Sequence, residues 1–166
     1  ITPSIQFILD NINSESICVL GTSTTISSKT YSKKIKKLSD KTYVEEIECP
    51  LFVPLVEESL EDSDIAYLIT KMYIDKIENK NFDTLILGCT HYPILIKQIK
   101  KIINPNVQIV DTGLSICNEL KPILNESNNN INSDNEYYVS DMPYRFNQLA
   151  SKFLNKKINK VEQIEL

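Results

Sequence analysis

Residues 86–93 read Ile86-Leu87-Gly88-Cys89-Thr90-His91-Tyr92-Pro93, and they place the only histidine of this 166-residue chain two positions after a cysteine. The apolar run Thr84–Leu87 predicts a buried strand. Apolar side chains then recur at helical spacing over 94–103, and Pro93 suits a first helical turn, where a missing N–H costs nothing. Gly88–His91 is therefore predicted to be the turn between a strand and a helix.

This turn combines residues that can carry out acid–base or nucleophilic chemistry. The N-terminus of a helix has partial positive charge and unpaired N–H groups, which stabilise a thiolate at Cys89. His91 can exchange a proton with that thiol or orient a substrate group. Two plainer interpretations stay open: Cys89 as a small buried apolar residue at a strand end, and His91 as a helix cap.

A second turn of the same kind is predicted at Gly21-Thr22-Ser23-Thr24-Thr25, after the strand Ile17–Gly21. Its hydroxyls and free N–H groups favour an anion site, although Ser and Thr also serve as ordinary N-caps. Glu57 and Glu58 are predicted near the start of a short helix, where acidic residues commonly complement the helix dipole.

Strands alternate with helices through most of the chain. The other predicted strands are Thr42–Cys49, Asp83–Leu87 and Val107–Val110. The predicted helices are Pro3–Ile12, Thr25–Leu38 with Tyr31, Ile35 and Leu38 buried, Val56–Leu60, and Asp64–Asn79 capped by Ser63. This alternation predicts an α/β fold with a parallel sheet covered on both faces, and ligands at the carboxyl ends of its strands.

The pattern changes after Gly113. A helix Leu114–Asn125 is followed by a polar stretch, residues 126–135, whose Ser and Asn content is typical of a mobile loop. A strand Glu136–Ser140, a helix Pro143–Leu154 capped by Asp141, and a terminal strand within 158–166 complete the prediction. These few elements predict part of a further domain.

Composition and residue spacing argue against several classes of function. A net charge of −4 and a pI near 5.1 argue against nucleic acid, and no apolar segment spans a bilayer, so a soluble cytoplasmic protein is expected. The four cysteines are interpreted as reduced thiols, and a zinc site at Cys89 and His91 needs two distant ligands. A cysteine phosphatase needs an arginine six residues after its nucleophile, where this chain has Leu95.

Four segments together resemble the cofactor-independent aspartate/glutamate racemase superfamily, most closely its glutamate-racemising members. They are Leu87–Pro93, Gly21–Ile26 with Ser28 and Tyr31, Cys49–Glu58, and Tyr137–Phe146. The resemblance implies a three-layer αβα domain that faces a second α/β domain, and an isomerase that interconverts L- and D-glutamate with two cysteines and no cofactor or metal. It also implies a supply of D-glutamate for peptidoglycan, and it allows a homodimer of the full-length enzyme.

The same resemblance assigns roles to individual residues. Cys89 would exchange the α-proton, assisted by His91 and Glu57, while Thr90, Thr25 and Thr22 would bind the substrate. The physical requirement is a desolvated base with preorganised donors, because an α-proton is only weakly acidic.

The superfamily's first catalytic cysteine has no counterpart here. We therefore expect residues 1–112 to form one complete racemase domain and residues 113–166 to be the returning part of an incomplete one. A chain with one such thiol is expected to be inactive alone. A racemase for aspartate or another α-substituted acid, and a noncatalytic binding module with the same fold, are the alternatives.

Overall fold

The structure is a computed structural model that describes Ile5, residues 14–126 and residues 135–165. The chain divides into two compact units, Ile1–Ser127 and Asn128–Leu166. Of the predicted helix Pro3–Ile12, only Ile5 is described; it is helical and buried. The predicted mobile loop, residues 126–135, lies almost wholly outside the described residues.

Within residues 14–126 the first unit has four strands separated by helices. The strands are β1 (Ser16–Gly21), β2 (Tyr43–Glu48), β3 (Thr84–Leu87) and β4 (Gln108–Asp111). The helices are α1 (Ser23–Ser27), α2 (Thr30–Leu38), α3 (Phe52–Glu57), α4 (Asp64–Ile74), α5 (Ile96–Lys100) with a 3₁₀ turn at Tyr92–Leu95 before it, and α6 (Thr112–Glu126). All four strands confirm the predicted ones.

The four strands form one parallel sheet in the order β2-β1-β3-β4. The chain moves from β1 outward to β2, and then crosses back over β1 to reach β3 on its other side. The carboxyl ends of β1 and β3 therefore flank the point at which the strand order reverses, which is where open α/β sheets bind ligands. The predicted α/β class with a parallel sheet is confirmed.

Alternating side chains of β1 enter two separate cores, one on each face of the sheet. Cys18 and Leu20 face the larger core, which α3, α4, the 3₁₀ turn and α5 cover. Ile17 and Val19 face the smaller core, which α1 and α2 cover. All six residues of β1 and all four of β3 are buried. The two strands that position the predicted site are therefore covered on both faces.

The predicted helix Thr25–Leu38 is wrong in its continuity, because the chain breaks it into α1 and α2. The Ser28 hydroxyl donates to Thr25 O at 2.7 Å and accepts the Thr30 amide at 3.2 Å, so it competes with the helical ladder. Lys29 then adopts a left-handed backbone with φ of 53°. Tyr31 and Ile35 are buried as predicted, but Leu38 is 59% exposed, which corrects that assignment.

Two further helices differ from their predicted bounds. The short helix expected at Val56–Leu60 is α3, which begins at Phe52 and carries Pro54 within its first turn, where its missing N–H is not needed. The predicted helix Asp64–Asn79 ends at Ile74. Its predicted cap is confirmed, since the Ser63 hydroxyl accepts the Ala66 amide at 3.2 Å.

The second unit is described over residues 135–165. It contains β5 (Tyr138–Val139), α7 (Pro143–Phe153) and β6 (Glu162–Gln163), and the two strands pair in parallel. The predicted cap of α7 at Asp141 is wrong: Met142 occupies the N-cap without a side-chain hydrogen bond, and Asp141 accepts the Met142 amide. That residues from Gly113 onward belong to a second domain stays a prediction, while α6 lies in the first unit.

Candidate active site

The two turns singled out from the sequence lie side by side at the carboxyl edge of the sheet. Leu20 of β1 is paired in register with Leu87 of β3, so the residues that follow each strand begin at the same level. The turn after β1 runs over 21–25 and is called the hydroxyl turn below. The turn after β3 runs over 88–91 and is called the thiol turn.

Gly88 allows the thiol turn to approach β1 closely. Its amide donates to Leu20 O at 2.8 Å. A Cβ atom at this position would lie 2.9 Å from Leu20 O and 3.3 Å from Cε2 of Tyr31. Because the nearest atom belongs to the backbone of a buried strand, only glycine fits without moving the strand or the turn.

Cys89, His91 and Glu57 form a line of thiol, imidazole and carboxylate. The Cys89 Sγ lies 3.9 Å from His91 Nδ1, and His91 Nε2 lies 3.5 Å from Glu57 Oε1. The His91 and Glu57 side chains are 26% and 30% exposed, so the line is half-buried but open to small molecules. An imidazole held by a carboxylate on one nitrogen and facing a thiol with the other is suited to proton transfer.

Glu57 enters this line from a different element. It is the last residue of α3, not a residue near a helix start, which corrects the sequence-based interpretation. A carboxylate at the C-terminal end of a helix gains nothing from the dipole, since that end is partially negative. The helix dipole therefore does not explain the position of Glu57, whereas its carboxylate does contact His91.

The hydroxyl turn brings Thr22 and Thr25 together. Their Oγ1 atoms are 3.1 Å apart, and Thr22 Oγ1 accepts the Thr25 amide at 3.4 Å. Thr22 is thus the N-cap of α1, as the plainer interpretation expected, and its hydroxyl also borders that of Thr25. Thr90 lies exposed in the thiol turn, between Cys89 and His91.

The chain is similar to known proteins over most of its length. No family model matches it. The chain is 36% identical over 152 residues to glutamate racemase of Geobacter metallireducens, covering 89% of the chain and 56% of that protein. It is 38% identical over 166 residues to glutamate racemase of Persephonella marina, covering 100% of the chain and 62% of that protein. Over most of its length the chain is similar to glutamate racemases.

Solved structures agree with this similarity. Glutamate racemase of Francisella tularensis, solved in complex with D-glutamate, matches with a TM-score of 0.87 and 32% identity. Glutamate racemase isoform RacE1 of Bacillus anthracis matches with a TM-score of 0.88 and 29% identity. Each match covers 99% of the chain and 62% of the solved protein. The chain spans 56% to 62% of the length of the glutamate racemases cited.

The other cysteines of the chain differ from Cys89 in how far they are buried. Cys18 and Cys49 are fully buried, and burial raises the pKa of both thiols far above its ordinary value. Cys117 is exposed on α6. Among the described cysteines, Cys89 combines partial exposure with a nearby imidazole. A small buried apolar residue therefore describes Cys18 and Cys49 better than it describes Cys89.

Sequence reasoning missed one residue that holds the thiol turn. The buried Thr112 hydroxyl, directly after β4, donates to Leu87 O at 3.1 Å. Leu87 is the last residue of β3, so this bond ties the end of that strand to its neighbour. A hydroxyl residue two positions after the predicted strand Val107–Val110 was the available signal. The bond from Thr112 to Leu87 O could be recognised only once the structure showed that β4 lies beside β3.

Two observations bear on ligand and membrane chemistry. Over residues 14–126 and 135–165, no three His, Cys, Asp or Glu side chains are arranged to hold a metal ion. Neither stretch contains a helix with the length and apolar character that crossing a bilayer requires.

Proposed function

We propose that the natural protein that carries this chain is a glutamate racemase, which interconverts L- and D-glutamate. The observation that carries the proposal is the line of Cys89, His91 and Glu57 at the reversal point of the sheet, in a chain similar to glutamate racemases. The protein is proposed to act in the cytoplasm and to supply D-glutamate for peptidoglycan. We also propose that the full-length enzyme forms a homodimer, which analytical ultracentrifugation can test.

In the proposed reaction the Cys89 thiolate removes the α-proton of glutamate from one face. The C–H electron pair stays on the substrate as a carbanion, delocalised into its α-carboxylate, and the proton becomes the S–H proton. A second acid then protonates the opposite face, and the configuration inverts. The reverse reaction uses Cys89 as the acid.

His91 and Glu57 assist this transfer by their position beside the thiol. The His91 imidazole lies 3.9 Å from Sγ and 3.5 Å from the Glu57 carboxylate, so it can exchange a proton with the thiol while the carboxylate orients the ring. The fixed position of both groups avoids the reorganisation that water would need during the reaction.

Thr22, Thr25 and Thr90 are proposed to bind the substrate's charged groups. The chain has a single arginine, Arg145, so carboxylate recognition by hydroxyl and N–H donors is the alternative to a bidentate guanidinium. Hydroxyls of the hydroxyl turn lie at the same sheet edge as Cys89, which is where an α-carboxylate must bind if its α-carbon is to meet the thiol.

The acid for the opposite face is proposed to be a cysteine from outside these 166 residues, as the resemblance to the racemase superfamily implies. Cys18 and Cys49 are enclosed in the larger core, so neither thiol can reach a substrate. A single base would return the proton to the face from which it came. The chain by itself is therefore expected to show no racemisation.

The proposal is tested by incubating the natural protein separately with L-glutamate and L-aspartate in D₂O. Chiral chromatography measures inversion, and mass spectrometry measures deuterium at the α-carbon. Inversion of glutamate with one deuterium per inverted molecule supports the proposal. Inversion of aspartate alone assigns the protein to the aspartate alternative, and no exchange with either amino acid favours the noncatalytic module.

A further inference from the structure

Tyr92 connects the thiol turn to the segment that leads into α3. It is fully buried and follows His91 directly. Its amide donates to Cys89 O at 3.2 Å, and its hydroxyl donates to Cys49 O at 2.9 Å. Burial raises the pKa of Tyr92 well above its ordinary value, so the hydroxyl remains a donor at any physiological pH.

The ring of Tyr92 also belongs to an aromatic cluster. Phe52, at the start of α3, stands edge-on to Tyr92 with ring centroids 5.0 Å apart and planes at 84°. The same Phe52 ring stands edge-on to Tyr73 of α4 at 5.2 Å and 88°. The Tyr73 hydroxyl accepts the Leu51 amide at 3.2 Å. Perpendicular contacts of this kind are the preferred arrangement of aromatic pairs.

The contacts of Tyr92 with the Phe52 ring and with Cys49 O fix the start of α3 relative to the thiol turn. Phe52 is the first residue of α3 and Glu57 is the last, so the position of one end determines that of the other. Tyr92 and His91 share a peptide bond. The 3.5 Å between His91 Nε2 and Glu57 Oε1 is therefore set where Tyr92 meets Phe52 and Cys49 O.

We propose that Tyr92 is a positioning residue, which holds His91 between Glu57 and Cys89 through its bond to Cys49 O and its ring contact with Phe52. The inference rests on the proposed racemase function. Because its side chain is buried, Tyr92 acts through His91 and does not contact the substrate. The competing explanation is that Tyr92 contributes only to the stability of the larger core.

The test compares Tyr92→Phe with the matched variant Tyr73→Phe in the natural protein. Each variant loses one buried hydroxyl of the same aromatic cluster, but Tyr73 has no covalent link to the thiol turn. For Tyr92→Phe we expect kcat to fall about tenfold while KM stays within about twofold, since small misplacements near reacting groups are costly. Tyr73→Phe should keep kcat within about twofold of wild type.

A double-mutant cycle with Glu57→Gln separates positioning from stability. If Tyr92 acts through the His91–Glu57 contact, adding Tyr92→Phe to Glu57→Gln should lower kcat by less than about twofold further. Multiplication of the two effects would overturn the inference, as would equal kcat values in Tyr92→Phe and Tyr73→Phe. Phe52→Leu, which removes the ring on which Tyr92 packs, should show the same coupling and serves if Tyr92→Phe does not fold.

Alkylation of Cys89 by iodoacetamide distinguishes failure of this inference from failure of the proposed function. The rate is read from the Cys89 peptide by mass spectrometry and needs no turnover. If wild type inverts neither amino acid, the proposed function fails. The alkylation rate alone then decides whether Tyr92 positions the thiol turn. Slowing of about threefold or more in Tyr92→Phe, with wild-type rates in Tyr73→Phe, supports the positioning role. Equal rates in both variants contradict it.

Discussion

The hydroxyl turn and the thiol turn start at the same level of one parallel sheet, and each begins with a glycine, but their chemistry differs. In the hydroxyl turn, Thr22 caps the short helix that contains Thr25, and the two hydroxyls contact each other. In the thiol turn, Cys89 and His91 are joined by Glu57 from a distant helix. The sheet supplies the location of both turns, whereas the elements packed beside each turn determine which groups surround it.

The glycines of the two turns differ in the same way. A Cβ at Gly88 would meet the Leu20 carbonyl at 2.9 Å, which cannot move without the strand. A Cβ at Gly21 would meet the end of the Ile26 side chain at 2.7 Å, which can change rotamer. The thiol turn is thus held by backbone and the hydroxyl turn by a side chain. In the proposed reaction, proton transfer needs the stricter placement and carboxylate binding the looser one.

The largest difference between the turns should appear on removing the thiol. Cys89→Ala in the natural protein should lower kcat by about 10³-fold or more, because no other group replaces the base. Cys117→Ala, which removes the exposed thiol of α6, is the matched control and should retain wild-type kcat. Chiral chromatography of glutamate measures both. Retained racemisation in Cys89→Ala would remove the catalytic assignment and favour the noncatalytic module.

The next largest effect should come from Glu57, the carboxylate of α3 that contacts His91 in the thiol turn. Glu57→Gln keeps the size of the side chain but replaces the carboxylate beside His91 with a neutral amide. We expect kcat to fall about 30-fold with KM within about twofold, since Glu57 acts on proton transfer and not on binding. Glu58→Gln, one residue further along, is the control. A rise in KM without loss of kcat would instead assign Glu57 to substrate binding.

The two glycines can be compared directly by stability. Gly88→Ala should lower the free energy of unfolding by about 1–3 kcal/mol, because a buried strand or the thiol turn must shift. Gly21→Ala should cost less than about 1 kcal/mol, since Ile26 can rearrange. Urea denaturation followed by circular dichroism measures both values. Equal losses would show that the thiol turn is no more rigidly held than the hydroxyl turn.

The thiol turn was accessible from sequence because its partners are local. Cys89 and His91 are two positions apart, and the buried run before them and the helical spacing after them define the turn. The contact of His91 with Glu57 could not be predicted in this way, since it spans 34 residues and depends on the packing of Phe52 against Tyr92. The predicted helix Val56–Leu60 likewise begins four residues after the observed start of α3, whose first turn includes Pro54.

The hydroxyl turn shows the opposite limitation. Apolar spacing over 25–38 predicts one helix, yet local hydrogen bonds of Ser28 and the left-handed Lys29 divide it. Hydrophobic periodicity reports which face is buried, and it is insensitive to serine side chains that bond to their own backbone. The strands β1 and β3 were predictable because full burial makes them nearly continuous apolar runs. The strands β2 and β4 are only partly buried.

A smaller effect is expected from the hydroxyl turn. Thr25→Val removes the hydroxyl but keeps the shape of the side chain. KM for glutamate should rise about tenfold, the loss expected for one hydrogen bond to a charged group, while kcat changes less. Thr24→Val, one residue earlier on α1, is the control. A fall in kcat alone would place Thr25 in proton transfer and would weaken the distinction between the two turns.

The smallest effect should arise at the opposite ends of the same strands, where Asp83 precedes β3. Burial raises the pKa of Asp83, but hydrogen bonds from the Ser14 hydroxyl and from the Glu15 and Ser16 amides outweigh it and hold the pKa below its ordinary value. A carboxylate whose pKa is lowered in the folded state stabilises the fold above about pH 4, the value of an unfolded Asp, and loses that contribution as pH falls through the folded pKa.

Asp83→Asn should therefore be less stable than wild type at neutral pH, and the difference should shrink as the pH falls below about 4, where wild type also loses its charge. Asp75→Asn, at an exposed pair with Lys71, should change stability little at either pH. Urea denaturation at neutral and acid pH measures both variants, with kcat recorded at neutral pH. A difference independent of pH would show that Asp83 acts by its shape, while reduced kcat would mean that the amino ends of β1 and β3 transmit strain to the thiol turn.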